Sequence, residues 1–247
     1  MSFITSKHNP ATGLKIYFIR HAESLNNIRC HDDLQGYEHL RSHDPDLSPR
    51  GYEQASQLAQ FIRQHEQLGE VSEIHCSAMF RSLLTAQALQ KELGINPEIW
   101  LIYHEVKGCR ELNRGFPGMS RQEITERFPG FIIPDGVTDA GWFLRDDSES
   151  EEEGWVRSKR VWDRLRHMGD EEKYQGKSII IITHGLFMDF LIGRVCNREM
   201  KGEPRFVFFN TGYSLVWVKH HKPIVYFLDR IEHLAVMPLM YHEGELE

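Results

Sequence analysis

Short apolar runs and amphipathic segments alternate along this chain. Apolar runs of four to eight residues are typical of buried strands, whereas apolar residues three and four positions apart are typical of helices. The run Ser178–Thr183 contains four consecutive isoleucines, which is typical of a strand buried on both faces of a parallel sheet. Six further runs predict strands: Leu14–Ile19, Val71–Cys76, Ile99–Tyr103, Phe206–Phe209, Tyr213–Val218 and Ile224–Leu228.

The predicted helices lie between these strands and carry apolar residues on one face. They are the segment that opens at Pro49, Phe80–Leu93, Ser120–Phe128, the segment after Ser150, and Leu186–Val195. Strands that alternate with helices predict an α/β fold. We expect a three-layer α/β/α sandwich around a mostly parallel central sheet.

The stretch from residue 104 to about residue 149 differs from the rest in composition. It is rich in Gly, Pro, Arg and aromatic residues. We interpret it as an insertion over the C-terminal edge of the sheet, within one domain that spans residues 1–247. Four of its basic residues are either solvated side chains or a recognition site for a second anionic group on a substrate: Lys107, Arg110, Arg114 and Arg121.

An acidic run, Asp146–Glu153, precedes one predicted helix. Ser150 and Glu153 have the spacing of a capping box, and carboxylates at a helix N-terminus suit the helix dipole. A solvated helix start is therefore the favoured interpretation of this run, with a partner or metal site as the alternative.

Composition and charge exclude some classes of function. The formal net charge of −7 argues against binding to nucleic acid or to an anionic membrane surface, because both need a basic footprint. No apolar stretch reaches the 18 or so residues of a membrane span, and Met1–Thr12 lacks the apolar core of a signal peptide. The four cysteines include no C-x-x-C pair, so neither a zinc knuckle nor a disulfide scaffold is indicated. We expect a cytoplasmic protein, either a monomer or a homo-oligomer.

Candidate chemistry follows two of the predicted strands directly. Arg20 and His21 come after the first strand, and His184 comes after the isoleucine run. In an open parallel sheet, the carboxyl ends of the strands meet at the crevice where ligands bind. Arg81 begins a helix after another strand, where free backbone N–H groups attract anions. These residues predict a phosphate-binding site.

Four motifs, in this order and spacing, resemble the histidine phosphatase (phosphoglycerate mutase-like) superfamily. They are Arg20-His21-Ala22-Glu23-Ser24-x-x-Asn27, Leu47-Ser48-Pro49-Arg50-Gly51-x-x-Gln54-Ala55, Ser77-x-x-x-Arg81-x-x-x-Thr85-Ala86 and Thr183-His184-Gly185. Asn210-Thr211-Gly212 and Glu232-His233-Leu234 also resemble the C-terminal region of this family. The resemblance covers most of the chain.

The resemblance implies a role for each matching residue. His21 is expected to be the nucleophile that forms a phosphohistidine. Arg20 and Arg81 are expected to clamp the phosphoryl oxygens, His184 to contribute a further donor, and Asn27 an amide. Gly185 completes the expected substrate-binding set. Such a site requires no metal or other cofactor, and no cluster of metal ligands stands out in the sequence.

A general acid is also expected, because the leaving oxygen must be protonated. The family places a Glu shortly after the third strand, and two candidates occur there, Glu105 and Glu111. Glu105 follows the predicted strand Ile99–Tyr103 directly, so it is the favoured candidate. Glu111 is the alternative.

The chain departs from the family pattern in several places. Ala22 stands where Gly is commonest, which restricts the backbone of the phosphate-binding turn. The Gly-rich lid of a true mutase is absent, since the corresponding residues are Arg114–Ser120. The favoured function is therefore a metal-independent phosphatase acting on a small phosphorylated substrate. A phosphoglycerate mutase and a noncatalytic phosphate-binding or phosphoprotein-binding module are the alternatives, and the leaving group is left open.

Overall fold

A six-stranded mixed sheet forms the centre of the protein, as seen in a computed structural model that describes residues 12–32, 41–65, 70–111 and 114–234. The strands of this sheet are β1 (Leu14–Arg20), β2 (Val71–Cys76), β3 (Glu98–Ile99), β6 (Ser178–Thr183), β7 (Tyr213–Lys219) and β8 (Lys222–Arg230). Their order is β3-β2-β6-β1-β7-β8. The first four are parallel, β7 is antiparallel to β1, and β8 is antiparallel to β7.

Helices cover both faces of the sheet. The α-helices within the described residues are α1 (Leu25–Asp32), α2 (Pro49–Gln64), α3 (Phe80–Leu93), α4 (Arg121–Arg127), α5 (Glu151–Met168) and α6 (Gly185–Val195). Side chains of α2 and α3 share one apolar core with Ile180 and Ile182, whereas α5 and α6 share a second core with Ile179 and Ile181. Successive residues of a strand point to opposite faces, so the isoleucine run supplies both cores. The predicted three-layer sandwich is confirmed.

Local signals in the sequence set several helix ends. Ser48 caps α2 by accepting a hydrogen bond from the Gly51 N–H, and Gly94 ends α3 in the left-handed conformation. Ser150 and Glu153 form the predicted capping box of α5. Each device satisfies backbone groups that a helix end leaves unpaired.

Two predicted strands were wrong in extent or kind. Only Glu98–Ile99 pairs with the sheet, and Leu101–Tyr103 turns into a 3₁₀ helix instead. The run Phe206–Phe209 is not a strand. Its backbone groups bond to side chains, because Phe206 N–H donates to Asp189, Phe209 N–H donates to Asp229, and the Phe208 carbonyl accepts from Arg20.

The stretch 104–149 contains little regular structure. A two-stranded hairpin, β4 (Arg110–Glu111) and β5 (Arg114–Gly115), and helix α4 are its regular elements within the described residues. No helix in the ranges described above has the length and apolar character needed to cross a membrane.

Candidate active site

The carboxyl ends of β1 and β6 bring the first candidate residues together. Arg20 pairs in register with Thr183, so His21 and His184 leave the sheet side by side. The His21 N–H donates to the Thr183 carbonyl at 2.9 Å. The two imidazole centroids are 5.1 Å apart.

The hydrogen bonds of His21 define its tautomer. Its Nδ1 lies 2.7 Å from the Ala22 carbonyl oxygen, which can only accept, so Nδ1 carries the proton. Nε2 therefore holds a lone pair, and it accepts from Arg81 Nε at 3.0 Å. Burial, followed by the charges of Arg81 and Arg20, holds the pKa of His21 well below its usual range. The ring is a neutral imidazole whose Nε2 carries the lone pair.

Two arginines flank this imidazole. Arg20 is anchored by its Nη1, which donates to the Phe208 carbonyl at 2.6 Å. Arg81 lies in the first turn of α3, and its Nη1 is 3.9 Å from Asp44 Oδ1. Both arginines are buried, and a guanidinium in a dry site binds phosphoryl oxygens strongly.

His184 is the N-cap residue of α6 and is fully buried. Within the described part of the chain, neither of its ring nitrogens has a hydrogen-bond partner. Burial, and next the charge of Arg81, holds the pKa of His184 well below its usual range. A neutral imidazole without a protein partner is available to donate to a bound anion.

The carboxylate of Glu105 lies at the N-terminus of α6. Oε1 accepts from the N–H groups of Val106 at 2.8 Å and Phe187 at 3.0 Å, and Oε2 from Leu186 N–H at 3.3 Å. Burial raises the pKa of Glu105, and the charges of Arg81 and Arg20 oppose that rise. A carboxyl with a raised pKa close to both arginines is suited to hold and release a proton. The side chain of Glu111 is outside the described residues.

Asn27 and Gly185 lie beside these groups in supporting positions. Asn27 Oδ1 accepts from the Ser24 N–H at 3.0 Å and from the Ser24 hydroxyl at 2.8 Å, so this oxygen holds the turn after His21. Gly185 is the first residue of α6, and a β-carbon there would lie 3.4 Å from Arg20 Nε. Gly185 thus lies next to the Arg20 side chain, at a distance that would also accommodate a β-carbon.

Ala22 fits the phosphate-binding turn without strain. Its φ is not positive, so the turn needs no glycine at this position. The Ala22 N–H donates to Thr85 Oγ1 at 3.1 Å, so Thr85 helps to position the residue whose carbonyl faces His21 Nδ1.

The motif that begins at Leu47 supports this turn from behind. Gly51 packs so closely that a β-carbon would lie 2.0 Å from the Glu23 carbonyl oxygen. The Ser48 hydroxyl donates to Glu23 Oε1 at 2.6 Å, and Gln54 Oε1 accepts from the Glu23 N–H at 2.9 Å. The second motif therefore positions the residues after His21 and does not face the imidazole itself.

Some contributors to the site had no role predicted from sequence. Asn210 Nδ2 donates to the His21 carbonyl at 3.0 Å. Asp44 faces Arg81 and accepts from the Phe80 N–H at 2.9 Å. Asp44 had no predicted role, because a lone Asp in a loop gives no periodic or spacing signal. Asn210 belongs to the motif Asn210-Thr211-Gly212, which resembles the family but was given no role from sequence. His104 is also buried, and its Nδ1 donates to the Glu105 carbonyl at 2.8 Å.

A buried ion pair holds the segment that carries Glu105. Arg157 donates from Nε and Nη2 to Glu149 Oε1 and Oε2 at 2.7 and 2.6 Å. Its Nη1 donates to the carbonyls of Ile102 at 2.8 Å and His104 at 3.0 Å. Within the acidic run Asp146–Glu153, Glu149 is thus buried, whereas Glu151, Glu152 and Glu153 form the exposed helix start that was expected.

The basic residues of the stretch 104–149 occupy different environments. Arg121 donates to the backbone carbonyls of Val137 and Pro134 at 2.9 and 2.6 Å, which ties it to its own loop. Arg110 is buried, whereas Lys107 and Arg114 are exposed. In the part of the chain that the structure describes, no group of three His, Cys, Asp or Glu side chains could hold a metal ion.

Comparisons with known proteins show the family to which the chain belongs. Phosphoserine phosphatase 1 of Hydrogenobacter thermophilus is 24% identical over 237 residues, which cover 94% of this chain and 99% of that protein. A phosphoserine phosphatase mutant from Entamoeba histolytica, in complex with phosphoserine, has a similar fold, with a TM-score of 0.59 at 19% identity over 90% of this chain and 99% of that one. The alpha-ribazole phosphatase of Shigella flexneri also has a similar fold, with a TM-score of 0.59 at 20% identity. The match covers 87% of this chain and 96% of that one. Residues 16–229 match the family model of the histidine phosphatase superfamily (branch 1), and the chain belongs to this family.

Proposed function

We propose that this protein is a metal-independent phosphatase that hydrolyses phosphomonoesters through a phosphohistidine at His21. The observation that carries the proposal is the state of the His21 ring. Its Nδ1–H donates a hydrogen bond to the Ala22 carbonyl. Nε2 therefore carries the lone pair, which accepts from Arg81 Nε. A neutral imidazole with its tautomer fixed is the form that attacks phosphorus.

In the first step, His21 Nε2 attacks phosphorus and the bond to the ester oxygen breaks. The Arg81 Nε–H, which donates to Nε2 before the attack, then donates to a phosphoryl oxygen, and Arg20 and His184 bind the remaining phosphoryl oxygens. Charge that spreads over the transferring group is stabilised most by such preorganised donors. Glu105, in its protonated form, gives its proton to the leaving alkoxide.

In the second step, water hydrolyses the phosphohistidine. Glu105, now a carboxylate, takes a proton from the water as its oxygen attacks phosphorus. The bond between Nε2 and phosphorus breaks, which restores the neutral imidazole and releases inorganic phosphate. The named relatives are phosphatases of small phosphorylated molecules, and we propose a substrate of that size.

The test is a phosphate-release screen over diverse phosphomonoesters in the presence of a metal chelator. We expect turnover with chelator, an acid-labile phosphoryl adduct on the protein, and loss of both in His21→Ala. The exposed His167 gives the matched control, and His167→Ala should retain both. Turnover that requires metal, or that survives in His21→Ala, would contradict the mechanism. Transfer of the phosphoryl group to 3-phosphoglycerate in preference to water would identify a mutase.

A second comparison tests the general acid. An alkyl phosphate needs its leaving oxygen protonated, whereas p-nitrophenyl phosphate has a far better leaving group. Removal of a general acid costs about 10²-fold to 10⁴-fold, so Glu105→Gln should slow alkyl phosphates by this factor and p-nitrophenyl phosphate much less. The same selective loss in Glu111→Gln, with Glu105→Gln unaffected, would assign the role to Glu111.

The remaining expectations from the sequence stay predictions. They are the single-domain organisation, the cytoplasmic location, the lack of nucleic-acid binding and the oligomeric state.

A further inference from the structure

A cavity of about 310 Å³ lies beside the candidate active site. Its lining includes Asp44 and Phe80 on one side, Phe116 and Met119 from the stretch 104–149, and Glu123 and Arg127 from α4. Small-molecule sites are concave, about 300 Å³ or larger, and mainly apolar with a few polar groups. The size and lining of this cavity fit a small organic group.

The side chain of Asp44 forms part of both the cavity wall and the active-site wall. Its Oδ1 accepts from the Phe80 N–H at 2.9 Å and is 3.9 Å from Arg81 Nη1. The same guanidinium bonds to His21 Nε2 through its Nε. One guanidinium group, that of Arg81, therefore lies between this wall of the cavity and the proposed nucleophile.

The second oxygen of Asp44 has an unsatisfied hydrogen-bonding capacity. The side chain is 8% exposed, and in the described part of the chain Oδ2 has no hydrogen-bond partner. Buried polar atoms without a partner are rare, because a hydrogen bond that is lost on burial and not replaced costs stability. Burial raises the pKa of Asp44 to about 6 in spite of Arg81, the Phe80 N–H and Arg41, so these neighbours do not compensate its charge fully. Oδ2 is suited to accept a hydrogen bond from a ligand.

The other walls favour a small and partly polar group. Arg127 lies over the Phe80 ring, with its guanidinium carbon 4.2 Å from the ring centroid. Phe116 stacks on His43 at 4.1 Å. These contacts make flat walls for a carbon skeleton, while Asp44 and Glu123 supply acceptors.

We propose that this cavity binds the alcohol portion of the substrate, and that Asp44 Oδ2 accepts a hydrogen bond from a hydroxyl or ammonium group on it. The proposal rests on the proposed phosphatase function and narrows its substrate class. The preferred substrates are phosphomonoesters of small alcohols that carry a second hydrogen-bond donor.

Isosteric substrates test this proposal directly. One series is n-propyl, 2-hydroxyethyl and 2-aminoethyl phosphate, and a second is n-butyl, 3-hydroxypropyl and 3-aminopropyl phosphate. A site built to pair with a donor discriminates strongly against an analogue that lacks it. We expect kcat/KM to favour a donor-bearing ester over its alkyl isostere by about tenfold or more in at least one series, since a hydrogen bond to a charged group contributes this much. The hydroxyl and amino arms show which donor is preferred.

Asp44→Asn separates the two oxygens of this side chain. Its amide oxygen can still accept from the Phe80 N–H, while its NH₂ replaces the acceptor at Oδ2 with a donor. We expect the preference for donor-bearing esters to disappear or reverse. Asp46→Asn is the matched control, because Asp46 bonds to Tyr52 and Leu47 outside the cavity and should keep the wild-type ratio.

A second variant keeps the proposal falsifiable if Asp44→Asn fails to fold. Met119→Trp narrows the cavity and should lower kcat/KM for the longer series relative to methyl phosphate, which is too short to fill the cavity. Equal kcat/KM for alkyl and donor-bearing esters in both series, or an unchanged ratio in Asp44→Asn, would overturn the proposal. Phosphate release that survives in His21→Ala would instead overturn the phosphatase mechanism, so the two failures are distinguishable.

Discussion

The proton on His21 Nδ1 decides what this single residue can do. If the ring took up a second proton, Nε2 would lose its lone pair and could not attack phosphorus. Burial disfavours the charged form first, and the guanidinium groups of Arg81 and Arg20 add repulsion. The hydrogen bond to the Ala22 carbonyl acts in the opposite direction and is outweighed. The same arginines that would bind a phosphoryl group therefore keep the nucleophile neutral.

This environment predicts the pH dependence of His21. Because its folded pKa lies below the unfolded value of about 6.5, the ring should stay neutral while pH falls from about 8 to about 6. NMR titration of the His21 ring proton, assigned by its loss in His21→Ala, should show little shift over this range. The unfolded ring binds a proton near pH 6.5, so His21 lowers the stability of the fold as pH falls below that value. A titration midpoint at or above about 6.5 would contradict this account.

Local sequence identified these reactive residues better than it identified their partners. Arg20, His21, Arg81 and His184 follow strands or begin helices, so the strand pattern places them at one edge of the sheet. Asp44 has no such mark, since its contact with Arg81 depends on how the loop before α2 packs against the start of α3. Tertiary packing of this kind is not encoded in a local pattern.

Between elements, the ion pair of Glu149 and Arg157 joins α5 to the segment that carries Glu105. Arg157 also lies 4.0 Å over the Phe187 ring, and Phe187 N–H donates to Glu105. One guanidinium group thus contacts both the backbone beside Glu105 and the helix that holds its carboxylate. The acidic run correctly predicted the start of α5. It did not predict the burial of Glu149, because charge density alone does not show which carboxylate has a buried partner.

Removal of one member of this pair should be costly. We expect Arg157→Met to lower the free energy of unfolding by about 3–5 kcal/mol, because Glu149 would remain buried without its partner. The double variant Arg157→Met with Glu149→Gln should recover a large part of this loss. Urea unfolding of the double variant and of the two single variants, Arg157→Met and Glu149→Gln, measures the coupling. If the double variant were as unstable as the sum of the two single variants, the pair would not be coupled.

The run Phe206–Phe209 shows a limit of pattern reading for whole elements. Its apolar residues resemble a strand, yet its backbone groups bond to Asp189, Asp229 and Arg20. Hydrogen bonds to side chains that are distant in sequence compete with strand pairing, and in this segment they replace it. The same contacts place the Phe208 carbonyl where it anchors Arg20. The segment that was wrongly predicted as a strand therefore contributes to the candidate active site.

At the scale of the whole molecule, one sheet supports two cores. Ile180 packs with α2 and α3, and Ile181 packs with α5 and α6. Both residues are central in β6, whose carboxyl end leads to His184. The candidate active site therefore depends on both layers, since Arg81 comes from one and Glu105 is held by the other.

This shared sheet predicts that the two layers unfold together, as expected for one domain. Ile180→Ala and Ile181→Ala should each cost about 2–5 kcal/mol, because each leaves a cavity in a close-packed core. Denaturant unfolding should show that both variants shift the same transition, whether it is followed by circular dichroism or by tryptophan fluorescence. Separate transitions, with each variant moving only one, would show that the layers are independent. Residues from both layers meet at His21, so in that case phosphatase activity would be lost when the less stable layer unfolds. For one cooperative unit, activity and structure should be lost at the same denaturant concentration.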